Sequence, residues 1–155
     1  MGSEMCIRDR FITTMKIALI NDYGYPLAGA ETYFFTLANG LKERGHEVLT
    51  VSSDRIRNQE TLITDLKLPH SGHCFNLDSF FKPSTYFKLQ KYLKNFNPDI
   101  VHLNNIFYTL SGAIPYAVRK YKSLITLHDY LPICIRDKTL CDLSLIHISE
   151  PTRPY

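Results

Sequence analysis

No run of apolar residues in this 155-residue chain approaches the ~18 that a membrane-spanning helix needs. No secretory leader is expected either. The apolar stretch at residues 16–20 is cut short by Asn21 and Asp22, under the roughly 7–15 residues of an h-region. Cysteine is scarce: of four, Cys6 lies in a doubtful leader, and Cys74, Cys134 and Cys141 are odd in number and scattered. Without a CxxC or a His pair they argue against a disulfide framework and give a metal site little support. Reduced thiols in a cytoplasmic protein are the expectation. Charge of one sign is lacking as well, since the formal net charge is only +3, too little to argue for nucleic acid. There is no internal repeat and no low-complexity segment.

The two ends stand apart from the rest. Residues 2–10 can be encoded by DNA whose reverse complement translates as residues 143–151. Selection on a protein has no reason to produce such an inverted repeat, and both ends look like translated transposase-type sequencing adapter. Residues 1–14 are set aside as an adapter-derived or doubtful leader and residues 143–155 as an adapter-derived tail. The interpretable domain is residues 15–142. A frame that runs into adapter was cut by the sequencing fragment, so the parent protein is expected to continue. About 128 residues make one domain with a real core.

Between the ends, strand and helix signals alternate. Residues 16–21 read as a short strand and residues 22–30 as a polar loop. Residues 31–44 read as a helix with Phe34, Phe35, Leu37, Ala38 and Leu41 at helical spacing, stopped by Gly45. Residues 47–52 form a second strand. Short strands are expected near residues 61–68 and 73–77, around the turn signal at residues 69–72. Residues 84–96 read as a helix with Phe87, Leu89, Leu93 and Phe96 inward, residues 99–104 as a buried strand, residues 111–121 as a helix and residues 123–127 as a last strand. The pattern predicts an α/β, doubly wound, Rossmann-like parallel sheet with helices on both faces. Ligands of such sheets bind beyond the carboxyl ends of the strands.

Three loops leave those ends. The first carries Ala28, Gly29, Ala30 and Glu31, small residues ahead of a helix whose unpaired N–H groups suit a diphosphate. The plainer reading is a strand-to-helix turn with Glu31 well placed in the first helical turn. A nicotinamide-cofactor site is disfavoured, because only Gly24 and Gly29 are present where that fingerprint wants three glycines. The second loop follows His102 and holds Asn104 and Asn105, which either bind hydroxyls or form a turn. The third is His128-Asp129-Tyr130, a histidine at the ligand end of the sheet with an acid beside it. Apart from the loops, Lys82, Lys88, Lys91 and Lys94 accompany several aromatic residues. That helix either rests on an anionic membrane surface or simply exposes its lysines and buries its rings.

Taken together, MKIALIND at residues 15–22, AGAETYFFTLANGLKERGHEV at 28–48, NPDIVHLNN at 97–105 and LITLHDYLPIC at 124–134 resemble the amino-terminal, glycosyltransferase family 4-like domain of the retaining GT-B glycosyltransferases. That group includes sucrose synthases and many lipopolysaccharide and capsule mannosyl- and glucosyltransferases. The family usually has two glycines before the Ala-Glu pair; here the first is Ala28. The resemblance implies an acceptor-side domain for transfer of a hexosyl unit from a nucleotide sugar to a glycan or lipid-linked acceptor. Retention of configuration is implied, without a metal or other cofactor. It places residues 28–31 near the donor diphosphate and His128 in the cleft as the catalytic candidate, with His102, Asn104, Asp129 and Tyr130 toward the acceptor. The donor-gripping second domain is expected elsewhere in the parent, so this chain alone is expected to be inactive, cytoplasmic or peripheral to the inner membrane face.

Two rivals remain open on sequence. One is a non-catalytic doubly wound nucleotide- or ligand-binding module; the other is an NAD-dependent sugar epimerase, opposed by the missing third glycine. Architecture alone does not choose between them.

Overall fold

A computed structural model describes residues 14–54, 64–70 and 81–128. Among the described residues five strands and three helices follow one another: β1 (Lys16–Ile20), α1 (Gly29–Glu43), β2 (Glu47–Ser53), β3 (Leu66–Leu68), α2 (Pro83–Phe96), β4 (Ile100–Leu103), α3 (Ala113–Val118) and β5 (Ser123–Ile125). The strands form one sheet in the order β3-β2-β1-β4-β5, and every pairing is parallel. β1 is central, with Ile17 opposite Val48 on one side and Ile100 on the other.

Both faces of β1 are buried, and alternation divides them. Ile17 and Leu19 pack with Phe34 and Ala38 of α1. Ala18 and Ile20 turn the other way, to a larger cluster with Val101 and Leu103 of β4, Leu89 and Leu93 of α2 and Ile114 and Ala117 of α3. Each Val, Leu, Ile or Phe among them contributes about 1.5–3 kcal/mol when removed from water. The expected doubly wound parallel sheet is what forms.

Helix ends follow local chemistry. α1 stops where Gly45 takes a φ of 82°, and His46 N–H bonds back to the Leu41 carbonyl at 3.1 Å. α2 has Pro83 in its first turn and ends at Asn97 in the left-handed region, φ 51°. Pro98 follows and the chain enters β4.

Some boundaries and one helix face differ from expectation. α1 begins two residues earlier, because Glu31 serves its amino-terminal cap. α3 is limited to six residues, not the eleven of residues 111–121. Phe87 is 68% exposed rather than inward. The inward line of α2 is Thr85, Leu89 and Leu93, spaced four apart, and a residue two positions from Leu89 points nearly opposite at 100° per residue. Phe96 is partly buried under the Lys16 ammonium, 5.5 Å from its ring centre. Of the two short strands near residues 61–68 and 73–77, the described part of the first is β3; the second lies outside the described residues.

Candidate functional site

The loops leaving β1, β4 and β5 converge with the amino terminus of α1 at the carboxyl edge of the sheet. They enclose an open groove of about 570 Å³. Residues 27–31 form one wall, Asn105 and Tyr108 another, and Tyr23 and His128 complete the lining. A second groove of about 560 Å³ lies at the opposite edge, beside Met15, Asp99 and Lys122. Only the first is at the end where parallel sheets place ligands.

The α1 wall is built on half a capping box. The Glu31 carboxylate accepts the Ala28 N–H at 3.0 Å and is 3% exposed. Ala28 has no side-chain oxygen to return the bond, so the N–H of Glu31 stays uncapped. With the N–H groups of Gly29 and Ala30 it belongs to the first turn, where no intrahelical acceptor exists. A Cβ built on Gly29 would meet nothing within 4 Å, so the glycine is not required by packing. Its bareness leaves space in front of those donors. The Glu31 charge favours the helix but offsets part of the field an incoming anion would meet.

Asp22, the residue after Asn21 at the end of β1, clasps the loop that follows β4. Its Oδ2 accepts the Tyr108 N–H at 2.8 Å. Its Oδ1 accepts the N–H groups of Thr109 and Leu110 at 2.9 and 2.8 Å. The Asp22 carbonyl accepts the Ser53 N–H and hydroxyl, so one residue joins the ends of β1, β2 and β4. Burial pushes its carboxyl up to about 6, against the lowering exerted by the bonds from Tyr108, Thr109 and Leu110.

His128 lies in the groove with Nε2 2.7 Å from Asn104 Oδ1, and its ring meets Tyr33 edge to face at 5.3 Å between centres. Asn104 is 3% exposed and does not line the groove. Its amide nitrogen donates to Asn21 Oδ1 and the Ala30 carbonyl at 3.3 and 3.2 Å. His102 does not line the groove either, and its Nε2 lies 2.8 Å from Thr126 Oγ1. Burial lowers the pKa of His102, and the charge of His128 adds to that.

The sequence-selected residues thus separate. Ala28, Gly29, Ala30, Glu31 and His128 come together in the groove; His102 and Asn104 stand behind it; Asp129 and Tyr130 lie outside the described residues. Sequence reading passed over Tyr23, Tyr33 and the role of Asp22. Tyr33 had one visible sign, an aromatic residue on the polar face of an amphipathic helix. Asp22 had none, since an acid after a strand is ordinarily solvated.

Comparison with known proteins fits this geometry. Residues 27–151 match the sequence profile described as Glycosyltransferase Family 4. A curated relative, an uncharacterized 42.6 kDa protein in the cps region of Klebsiella pneumoniae, is 31% identical over 140 residues. The match takes in 75% of this chain and 37% of the relative, so the chain spans little more than a third of that protein's length.

Proposed function

The chain belongs to glycosyltransferase family 4, and from that premise we propose that its groove is the acceptor-side wall of a GT-B cleft. The parent protein would move a hexosyl unit from a nucleotide sugar to a glycan or lipid-linked acceptor, with retention and without a metal. The cps-region relative supports a cell-envelope polysaccharide as the product class. One observation carries the reading: the uncapped N–H groups of α1, the open space before Gly29 and the His128 ring share one groove.

The chemistry follows from those parts. Negative charge gathers on the diphosphate as the glycosidic bond to the donor breaks. N–H groups already aimed at that position stabilise it without reorganising. His128 contacts the sugar or the phosphate at the same place. Groups that grip the nucleotide belong to a second domain of the parent, so this chain alone binds but does not turn over.

Titrating the isotope-labelled chain with a nucleoside diphosphate tests the site. Resonances of Gly29, Ala30 and His128 should shift first and together. Shifts confined to the opposite groove, near Lys120 and Lys122, would remove the assignment. Turnover of a nucleotide sugar by this chain alone would overturn the division between domains.

Location is proposed on a separate observation. Among the described residues no helix is long and apolar enough to cross a membrane. The face formed by α2 and α3 nevertheless exposes Phe87 and Tyr116 at 68% and 58%. Lys91 and Lys94 are exposed on α2, the Lys82 and Lys88 ammonium groups donate to the His70 and Lys67 carbonyls, and neither helix contains an acidic residue. Rings that enter the headgroup layer beside ammonium groups suit weak contact with an anionic membrane surface, here the cytoplasmic face.

A further inference from the structure

Behind the groove, buried amides form a chain whose orientation is set by main-chain groups that have only one role each. The Asn105 N–H can only donate, and it lies 3.2 Å from Asn21 Oδ1. That oxygen is therefore an acceptor, and Asn21 Nδ2 donates to the Tyr23 carbonyl at 2.9 Å. Asn104 must then present its amide nitrogen to Asn21 Oδ1. The Ala30 carbonyl, which can only accept, demands the same nitrogen. Both contacts leave the Asn104 oxygen for His128 Nε2. An oxygen there accepts, so the neutral ring carries its proton on Nε2 and keeps a lone pair on Nδ1. Among the described residues Nδ1 has no partner.

We propose that Asn104 is a positioning residue: it fixes His128 as the Nε2–H tautomer and ties the ring to the first turn of α1. It meets no ligand itself. Through Ala30 and His128 a single side chain sets the spacing of the two sides of the groove, and the Tyr33 ring opposes rotation of the imidazole away from it. His128 then offers a ligand an acceptor nitrogen, suited to an O–H or N–H group. The value of this arrangement for catalysis rests on the glycosyl-transfer reading; the tautomer does not.

Nitrogen-15 spectra of the histidine-labelled chain decide it, with His128 assigned through His128→Gln. In the wild type above neutral pH the Nε2 signal should be the protonated one, with a slowly exchanging proton, and the Nδ1 signal unprotonated. Asn104→Ala should average the two nitrogens and speed exchange of that proton at least tenfold. Asn104→Asp keeps an acceptor oxygen toward His128 but cannot donate to Ala30 or Asn21, so it should keep the tautomer while lowering the melting temperature. A wild-type ring protonated on Nδ1, or evenly mixed, overturns the proposal. So does a folded Asn104→Ala or Asn104→Asp chain with the opposite spectrum; should Asn104→Ala not fold, the wild-type and Asp spectra still decide. No ligand enters these spectra, so their failure is distinct from a failure to bind nucleoside diphosphate.

Discussion

Thr109 meets Asp22 with both of its donors, its N–H and its hydroxyl each 2.9 Å from Oδ1. The same hydroxyl lies within reach of the Asp22 carbonyl and Ser53 Oγ. It has one proton, and a bond to an ionised oxygen is the strongest of the three.

The burial of Asp22 makes stability depend on pH. Burial raises the folded Asp22 carboxyl from the ordinary 3.8 to about 6, so between those values the folded chain binds more protons than the unfolded one. Its contribution is therefore largest at low pH and is lost as pH rises through 6. From pH 7 to 5 the gain from this group is about 1 kcal/mol. His102 has the opposite sign: its folded pKa is lowered, so its contribution is full above 6.5 and is lost as pH falls. Denaturant unfolding at pH 5 and 7 should show Asp22→Asn losing the gain and His102→Gln enlarging it. Equal pH slopes in wild type and Asp22→Asn would sink the argument.

Gly29 separates folding from binding. It has ordinary helical geometry and open space at its Cβ position, so Gly29→Ala should leave stability unchanged or raise it by up to about 1 kcal/mol. Nucleoside diphosphate affinity should fall, because the methyl group occupies the approach to the helix terminus. Calorimetry on one sample reads both quantities; equal affinity in the variant would mean that the ligand lies elsewhere.

At Glu31 the cap and the charge can be parted. Glu31→Gln keeps an oxygen for the Ala28 N–H but removes the negative charge from the first turn. Stability should change by less than about 1 kcal/mol, and diphosphate should bind roughly 2–5 times more tightly, the factor that corresponds to a helix-end charge. Weaker binding by the variant would show that Glu31 helps the ligand directly.

Phe87 and Leu89 are two residues apart and should behave as opposites. Leu89→Ala empties a fully buried position and should cost about 2–5 kcal/mol. Phe87→Ser should cost under about 0.5 kcal/mol and reduce sedimentation with vesicles of anionic, but not zwitterionic, lipid. Unaltered sedimentation would remove Phe87 from any membrane face.

These cases show what the amino-acid order discloses. Strands β1 and β4 and helix α1 were legible because a central parallel strand is apolar on both faces and an outer helix on one. The face of α2 was misjudged at Phe87 because apolar residues on both sides of a short helix blur its period. The groove's position followed from topology, and the presence of Gly29 and His128 in it from local sequence. Nothing local could disclose that Asn104 faces inward, because its partners Asn21 and Ala30 lie some 70 to 80 positions away.

The central place of β1 has a consequence for the chain's birth. Ile17 must wait for Ile100 before its second edge is covered. At about 5–20 residues per second of synthesis the delay is roughly 4–16 s. Meanwhile β1 can join α1 and β2, but its other edge stays open to strands of neighbouring chains. The strand that leads into Asn21 and Asp22 is made before β4 and completed only with it, so shielding of that edge in the interval bears on the yield of folded protein.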